Sequence, residues 1–280
     1  MHARLAPTPS GYLHRGNALN FLLNQRLAGP DGPLTLRIDD LDRSRYRPEY
    51  LTDVFRVLEL LGVSPTHGPQ SAEDFEHRWS QRLRLPRYEE VLDSLKSHPL
   101  VFACPCSRRE LASGHHVHNC LAANYEPDRL DVAWRLNTRG RVVIIQDLDR
   151  RVHRVDLHTA IPDVALRTRV GAQTTDARPR PSYQLACTVD DYDMGIEVCA
   201  RGMDLLASTA VQAYLRELLG WPSLTASIRW FHHELIRGAE GRKLSKSAGA
   251  QASPITASEL DVAELQRRTD QLLARRRSDG

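Results

Sequence analysis

Lysine is nearly missing from this sequence. Of 38 cationic side chains 35 are arginine, and only Lys96, Lys243 and Lys246 are lysine. Long apolar runs are missing too. None approaches the roughly 18 residues that a membrane span needs. Met1-His2-Ala3-Arg4 opens no apolar stretch of the kind that exports a chain. There is no internal repeat and no low-complexity segment. The net charge of +3 is too small to name a nucleic-acid partner by itself. Five cysteines is an odd number, which without a secretion signal argues against a disulfide framework. These absences exclude membrane, fibrous and disulfide-stapled classes. With 280 residues, 41% of them apolar and 26% charged, a cytoplasmic monomer with a real core and no membrane partner is expected.

Local patterns predict an α/β fold. Arg4-Leu5-Ala6 is extended, and Pro7-Thr8-Pro9-Ser10-Gly11 must be loop, because two prolines two apart break regular structure. Ala18, Leu19, Leu22, Leu23 and Leu27 follow helical spacing up to Gly29. Leu34 to Ile38 is strand-like. Pro48 then opens a helix with the apolar face Leu51, Val54, Phe55, Leu58 and Leu61, closed by Gly62. This order points to a parallel sheet of the nucleotide-binding kind. Residues 101–171 break the pattern. They are rich in Cys, His and Arg, hold strand-like runs at Val132–Leu136, Val142–Gln146 and Val152–Leu157, and read as an insertion. Alternation returns from Tyr183 to Arg201, followed by a helix at Ser208–Leu219 and a strand at Ile228–Ile236. Thr256–Arg277 is predicted helical, with capping-box spacing at Thr256 and Glu259 and a stripe of Leu260, Leu265, Leu272 and Leu273. The expected units are 1–100 and 172–247 as two halves of one catalytic domain, 101–171 as the insertion, and 248–280 as a helical segment.

Three constellations carry chemistry. In Pro7–Asn17, Gly16 lets the backbone approach a ligand, the following helix offers free N–H groups, and His14 can donate to phosphate. A structural turn is the plainer reading, but the paired prolines fix the loop more tightly than mere connection requires. Lys243-Leu244-Ser245-Lys246-Ser247 places two ammonium groups three residues apart. They can grip phosphates and neutralise a leaving pyrophosphate. A solvated basic loop would have been built from arginine in this chain, so a compact, rotatable charge is wanted there. Cys104, Cys106 and Cys120, with His115, His116 and His118 before the last, supply ordinary zinc ligands. Cys187 and Cys199 lie in apolar runs and are expected to be core.

The first two segments resemble the HIGH and KMSKS signatures of class I aminoacyl-tRNA synthetases. Arg4–Gly11, Leu36–Asp42, Val189-Asp190-Asp191, Met194-Gly195-Ile196 and Arg201-Gly202-Met203-Asp204 resemble the glutamate-specific branch, in its order. Only 33 residues follow Ser247, too few for an anticodon-binding region, so the chain resembles the truncated glutamyl-Queuosine tRNA(Asp) synthetase family. That resemblance implies a Rossmann-type sheet split by a zinc-bearing insertion. It implies ATP with Mg2+, L-glutamate and tRNA(Asp) carrying queuosine as partners. The reaction would be glutamyl-adenylate formation followed by transfer to queuosine in the anticodon loop. His14, Lys243 and Lys246 would be catalytic, and His14, Gly16, Asn17 and Lys246 would hold ATP. For glutamate, Arg4 and Arg201 would meet carboxylates, Thr8 would hydrogen-bond nearby, Asp39 would hold the ammonium group and Tyr183 would donate its hydroxyl. A structural zinc would take Cys104, Cys106, Cys120 and His116, which stands where the family has Tyr, with His118 as the other choice. Two further departures are Asn17 as the last position of the first signature, and Asp39, one methylene shorter than the family's Glu. Arginines of the insertion (Arg129, Arg135, Arg139, Arg141, Arg150, Arg151, Arg154) are candidate phosphate contacts, although eight acidic residues lie between Glu126 and Asp176. The alternatives are a truncated synthetase that charges a tRNA 3′ end, and a non-catalytic zinc-bearing nucleotide- or RNA-binding regulator.

Overall fold

The computed structural model describes residues 1–112, 120–162, 164–170, 178–222, 228–235 and 253–278. In chain order, β1 (Ala3–Leu5) leads through a loop into α1 (Arg15–Ala28), then β2 (Leu34–Leu36), α2 (Pro48–Leu61) and α3 (Leu85–Leu95). The insertion contributes β3 (Val101–Cys104), β4 (Ala133–Leu136), β5 (Val142–Gln146), β6 (Val152–Asp156) and β7 (Val164–Arg167). Then come α4 (Tyr183–Asp193), β8 (Val198–Gly202), α5 (Leu206–Leu218), β9 (Arg229–His233) and, after a short helix Ala257–Leu260, α6 (Val262–Ser278).

The main sheet has the order β2-β1-β8-β9 and is parallel throughout. Its strands are almost wholly buried, as expected where helices cover both faces. The chain moves from β1 to β2 on one side and returns at β8 on the other. This leaves a crevice beyond the carboxyl ends of β1 and β8, the place where such sheets bind ligands. Side chains clamp the crevice walls together. Asn24 of α1 accepts the Ala200 N–H at 2.8 Å and donates to the Ala200 carbonyl at 3.2 Å, while Asn20 donates to the same carbonyl at 2.9 Å.

The expected helix ends hold where the chemistry was local. Gly62 closes α2 in the left-handed region at φ 64°, a conformation that an L side chain resists. Two expectations need correction. β2 ends at Leu36 rather than Ile38, although Arg37 and Asp39 still donate to the Leu5 and Pro7 carbonyls. The final helix is not continuous, because Asp261 turns the chain at φ 40° between Leu260 and Val262. The capping box at Thr256 and Glu259 is present, and Leu260 and Leu265 are buried in the core formed by α1, α2 and the first strands.

The insertion is antiparallel: a sheet of order β3-β4-β7 and a hairpin of β5 and β6. It shares a core with α4, α5 and β9. Trp134, Leu136, Ile145 and Leu166 pack with Leu185, Val189, Tyr214 and Trp230. Among the described residues no helix is long and apolar enough to cross a membrane.

Candidate active site

A cavity of about 410 Å3 opens at the crevice between β1 and β8. Arg4, Thr8, His14, Gly16, Asn17, Tyr183 and Arg201 all line it. Seven residues chosen from motifs far apart in sequence therefore share one wall. Asp39 does not line it. Its carboxylate is taken by Arg37, at 2.7 and 3.3 Å. Lys243 and Lys246 lie outside the described residues, as do His116 and His118.

One end of the cavity is built by the start of α1. His14 is its N-cap, with Nδ1 accepting the Gly16 N–H at 3.0 Å and Asn17 Oδ1 accepting the His14 N–H at 3.1 Å. Nδ1 as acceptor places the ring proton on Nε2, the tautomer that donates to a phosphate. A side chain at Gly16 would displace the imidazole, since a Cβ there would stand 2.8 Å from the ring. The loop before His14 is tied to α2, as Asp53 accepts the Leu13 N–H at 2.8 Å and pairs with Arg56 at 2.6 Å.

The other end is a buried charge cluster. Asp191 accepts from Arg4 at 2.6 and 3.1 Å, from Arg37 at 2.6 Å and from Arg201 at 3.4 Å. Burial opposes its ionisation, but these guanidinium groups hold its carboxyl well below the usual carboxylate range. Arg37 also pairs with Asp39 and, at 3.8 Å, with Asp190, so three guanidinium groups face three carboxylates and the cluster is balanced by the chain itself. Of the three arginines, Arg4 and Arg201 line the cavity, and a ligand with carboxylates complements them. The Tyr183 side chain is 43% exposed and stands beside the Cys187 sulfur, and its hydroxyl is pushed above the ordinary phenol value and stays protonated. Cys187 is not simple core: Arg37 Nη2 is 3.3 Å and Asp39 Oδ2 3.6 Å from its sulfur. Burial pushes its thiol up, so it serves as a neutral wall of the cluster.

Sequence reasoning missed Asn20, Asp204 and His233, which also line the cavity. His233 Nδ1 meets the Glu234 carbonyl at 3.0 Å and Nε2 meets Asn20 Nδ2 at 3.3 Å. Burial lowers its pKa, so a neutral imidazole faces the cavity. For Asn20 the available signal was a polar Asn20-Asn24 pair one turn apart among Leu19, Phe21, Leu22, Leu23 and Leu27.

In the insertion, the sulfurs of Cys106 and Cys120 are 3.5 Å apart and those of Cys120 and Cys104 are 3.6 Å apart, all buried. Tetrahedral zinc with Zn–S bonds of about 2.3 Å spaces its sulfurs by about 3.8 Å. The cluster therefore fits that metal with little movement. Burial pushes the Cys104 and Cys120 thiols up, a cost that a bound cation would reverse. The insertion's arginines do not form one free stripe. Arg129 pairs with Asp131, Arg151 with Asp149, and Arg141 lies over Tyr214, whereas Arg139, Arg150 and Arg154 are exposed.

A family model described as tRNA synthetases class I (E and Q), catalytic domain, matches residues 1–263. Curated relatives include the glutamyl-Q tRNA(Asp) synthetase of Ralstonia nicotianae, 33% identical over 268 residues that cover 89% of this chain and 78% of that protein. The glutamyl-Q tRNA(Asp) synthetase of Pseudomonas fluorescens is 35% identical over 247 residues, covering 87% and 75%. Among solved structures, the glutamate-tRNA synthetase of Elizabethkingia anophelis matches with a TM-score of 0.68 at 23% identity, over 90% of this chain and 54% of its own. A glutamate tRNA ligase from Elizabethkingia meningosepticum, in complex with its amino acid, matches with a TM-score of 0.67, also at 23% identity, over 90% and 53%. The chain thus spans about half the length of these two structures, and they establish the shared fold.

Proposed function

Since the chain belongs to the class I tRNA synthetases (E and Q), and within them to the group of the glutamyl-Q tRNA(Asp) synthetases, we propose that it activates L-glutamate with ATP and passes it to queuosine in the anticodon loop of tRNA(Asp). Membership makes it an enzyme of the ligase kind. The observation that carries the glutamate reading is that Arg4 and Arg201 both line the cavity, two guanidinium groups for a ligand with two carboxylates.

In the first step an oxygen of the glutamate α-carboxylate attacks the α-phosphorus of ATP. The bond to the β-phosphate breaks, giving glutamyl-adenylate and pyrophosphate. In the second, a hydroxyl of queuosine attacks the acyl carbon and AMP leaves. Catalysis is positioning and electrostatics. Arg4 and Arg201 receive carboxylates, a two-point contact suited to guanidinium. Tyr183 and Thr8 donate to the same ligand. Asp39 stands behind, anchoring Arg37, so its effect on the amino acid passes through that arginine. His14, Gly16, Asn17 and the N-terminus of α1 hold phosphates. Lys243 and Lys246 offset the charge that develops on pyrophosphate. Mg2+ arriving with ATP would supply further neutralisation there. Cys104, Cys106 and Cys120, with His116, would hold zinc in a closed, structural site that ties the insertion together. The protein acts as a monomer in the cytoplasm, divided at 1–100, 101–171, 172–247 and 248–280.

Exchange between pyrophosphate and ATP tests the activation step, run with glutamate, glutamine and aspartate in turn. Glutamate-dependent exchange without tRNA is expected, with the other two far slower. No exchange from zinc-replete protein would favour a regulator, and preference for aspartate would reassign the pocket.

A further inference from the structure

The hairpin of β5 and β6 reaches out of the insertion to the edge of the parallel sheet. The Leu148 N–H donates to the Trp230 carbonyl at 2.7 Å, and Arg151 Nη2 donates to the His232 carbonyl at 2.6 Å. The turn of the hairpin is therefore laid against β9. Asp147 heads that turn and is 4% exposed.

Asp147 is the end of a buried chain of polar contacts. Its carboxylate meets His232 Nδ1 at 2.6 Å and accepts the His232 backbone N–H at 3.1 Å. His232 Nε2 is 2.9 Å from Thr209 Oγ1, and Thr209 Oγ1 accepts from Arg201 Nη1 at 3.3 Å. All four side chains are buried. With the carboxylate accepting at Nδ1, His232 Nε2 becomes the acceptor. It lies nearer to the Thr209 hydroxyl, at 2.9 Å, than the competing Leu205 carbonyl at 3.2 Å, so it takes the Thr209 proton and turns the hydroxyl's lone pairs towards Arg201. Every donor in the chain then points the same way, with a cation at one end and a carboxylate at the other, an arrangement that strengthens each link. The position of Arg201 matters because a flexible arginine binds a carboxylate two-fold only when its plane is fixed. Gln212, at 2.7 Å, and the face of Trp230 hold it from other sides. His153 also reaches Asp147, at 3.2 Å. The three ligand atoms are close enough to suggest a metal, but Arg151 Nη2, 3.8 Å from the same carboxylate, already brings positive charge.

We propose that Asp147 is a positioning residue for amino-acid recognition: acting through His232 and Thr209, it fixes the guanidinium of Arg201 at the cavity wall. The inference rests on Arg201 being a glutamate carboxylate ligand. It joins the insertion to the amino-acid pocket, because the residue that orients the pocket arginine is carried by the hairpin.

The test is exchange between pyrophosphate and ATP by the full chain, with glutamate and ATP varied separately. Asp147→Asn keeps the shape but reverses the polarity at His232. Thr209→Val removes the hydroxyl and Thr209→Ser keeps it. Asp147→Asn and Thr209→Val should raise the glutamate KM about ten-fold while the ATP KM stays within about two-fold, the signature of lost substrate binding. Thr209→Ser should keep the wild-type glutamate KM. If Asp147→Asn fails to fold, Thr209→Val against Thr209→Ser carries the test. A wild-type glutamate KM in Thr209→Val, or glutamate and ATP KM values that rise together, overturns the inference. Wild-type protein without glutamate-dependent exchange overturns instead the glutamate reading on which it rests.

Discussion

Beside the cavity, Asp39 and Asp191 meet Arg4, Arg37 and Arg201 within hydrogen-bonding distance; in the insertion, Cys104, Cys106 and Cys120 meet one another across 3.5 and 3.6 Å. Both regions bury ionisable groups, and they balance them differently. The charges beside the cavity are balanced by the chain itself, with Arg4 and Arg201 facing the cavity. The thiol cluster has burial working against its thiolates, so its sulfurs stay neutral unless a metal supplies the balance. The first region suits recognition, the second suits holding a shape.

The largest effect should come from breaking the self-balanced cluster. Arg4→Ala takes the two-point partner from buried Asp191 and leaves it Arg37 and Arg201, so the loss should fall below the roughly 3–5 kcal/mol of a fully broken buried pair, at about 2 kcal/mol. Urea unfolding should show that loss, and glutamate-dependent exchange should disappear. Wild-type stability in this variant would mean that the cluster is not balanced as described. Next comes the metal. Zinc analysis should find one ion per chain, and Cys104→Ser or a strong chelator should remove it and lower Tm by roughly 5–10 °C, the shift expected of a few kcal/mol in a chain of this size. Exchange at low temperature should survive, since the cluster is outside the cavity.

A smaller effect is expected from pH. The folded Asp191 carboxyl titrates below its unfolded counterpart. Its contribution is therefore complete above the unfolded value of about 3.9 and is lost as pH falls below it. The buried neutral His233 makes the unfolding free energy decline from about pH 6.5 downwards in both proteins, and the further fall below about 4 should be shallower in Asp191→Asn. An equal slope in both would remove Asp191 from the account. Smallest of all, Thr256→Ala takes away the capping hydroxyl of the helix before α6 and should cost about 1 kcal/mol without changing exchange.

The sequence made α1 and α2 readable because their stop signals are local: Gly29 and Gly62 end apolar stripes. The loop with His14 and Gly16 was readable for the same reason, since cap, glycine and helix are adjacent. What stayed hidden is what depends on distant partners. Asp39 looked like an open ligand, and only the fold shows Arg37 occupying it. Cys187 looked like core filler until Arg37 and Asp39 were brought to its sulfur. Asp147 and His232 are 85 positions apart, and no local pattern links them. The break at Asp261 has no proline or glycine to announce it. Asp is among the few residues that tolerate the left-handed region, and it gives the α6 N-terminus a cap by accepting the Glu264 N–H at 3.0 Å.

The central claim is the destination of the glutamate. Radiolabelled glutamate, ATP and tRNA(Asp) carrying queuosine should be incubated with the full chain, the tRNA cut with nuclease, and the label located. Label on the anticodon fragment, lost in mild alkali as an ester would be, is the predicted result. Label on the terminal adenosine would contradict it.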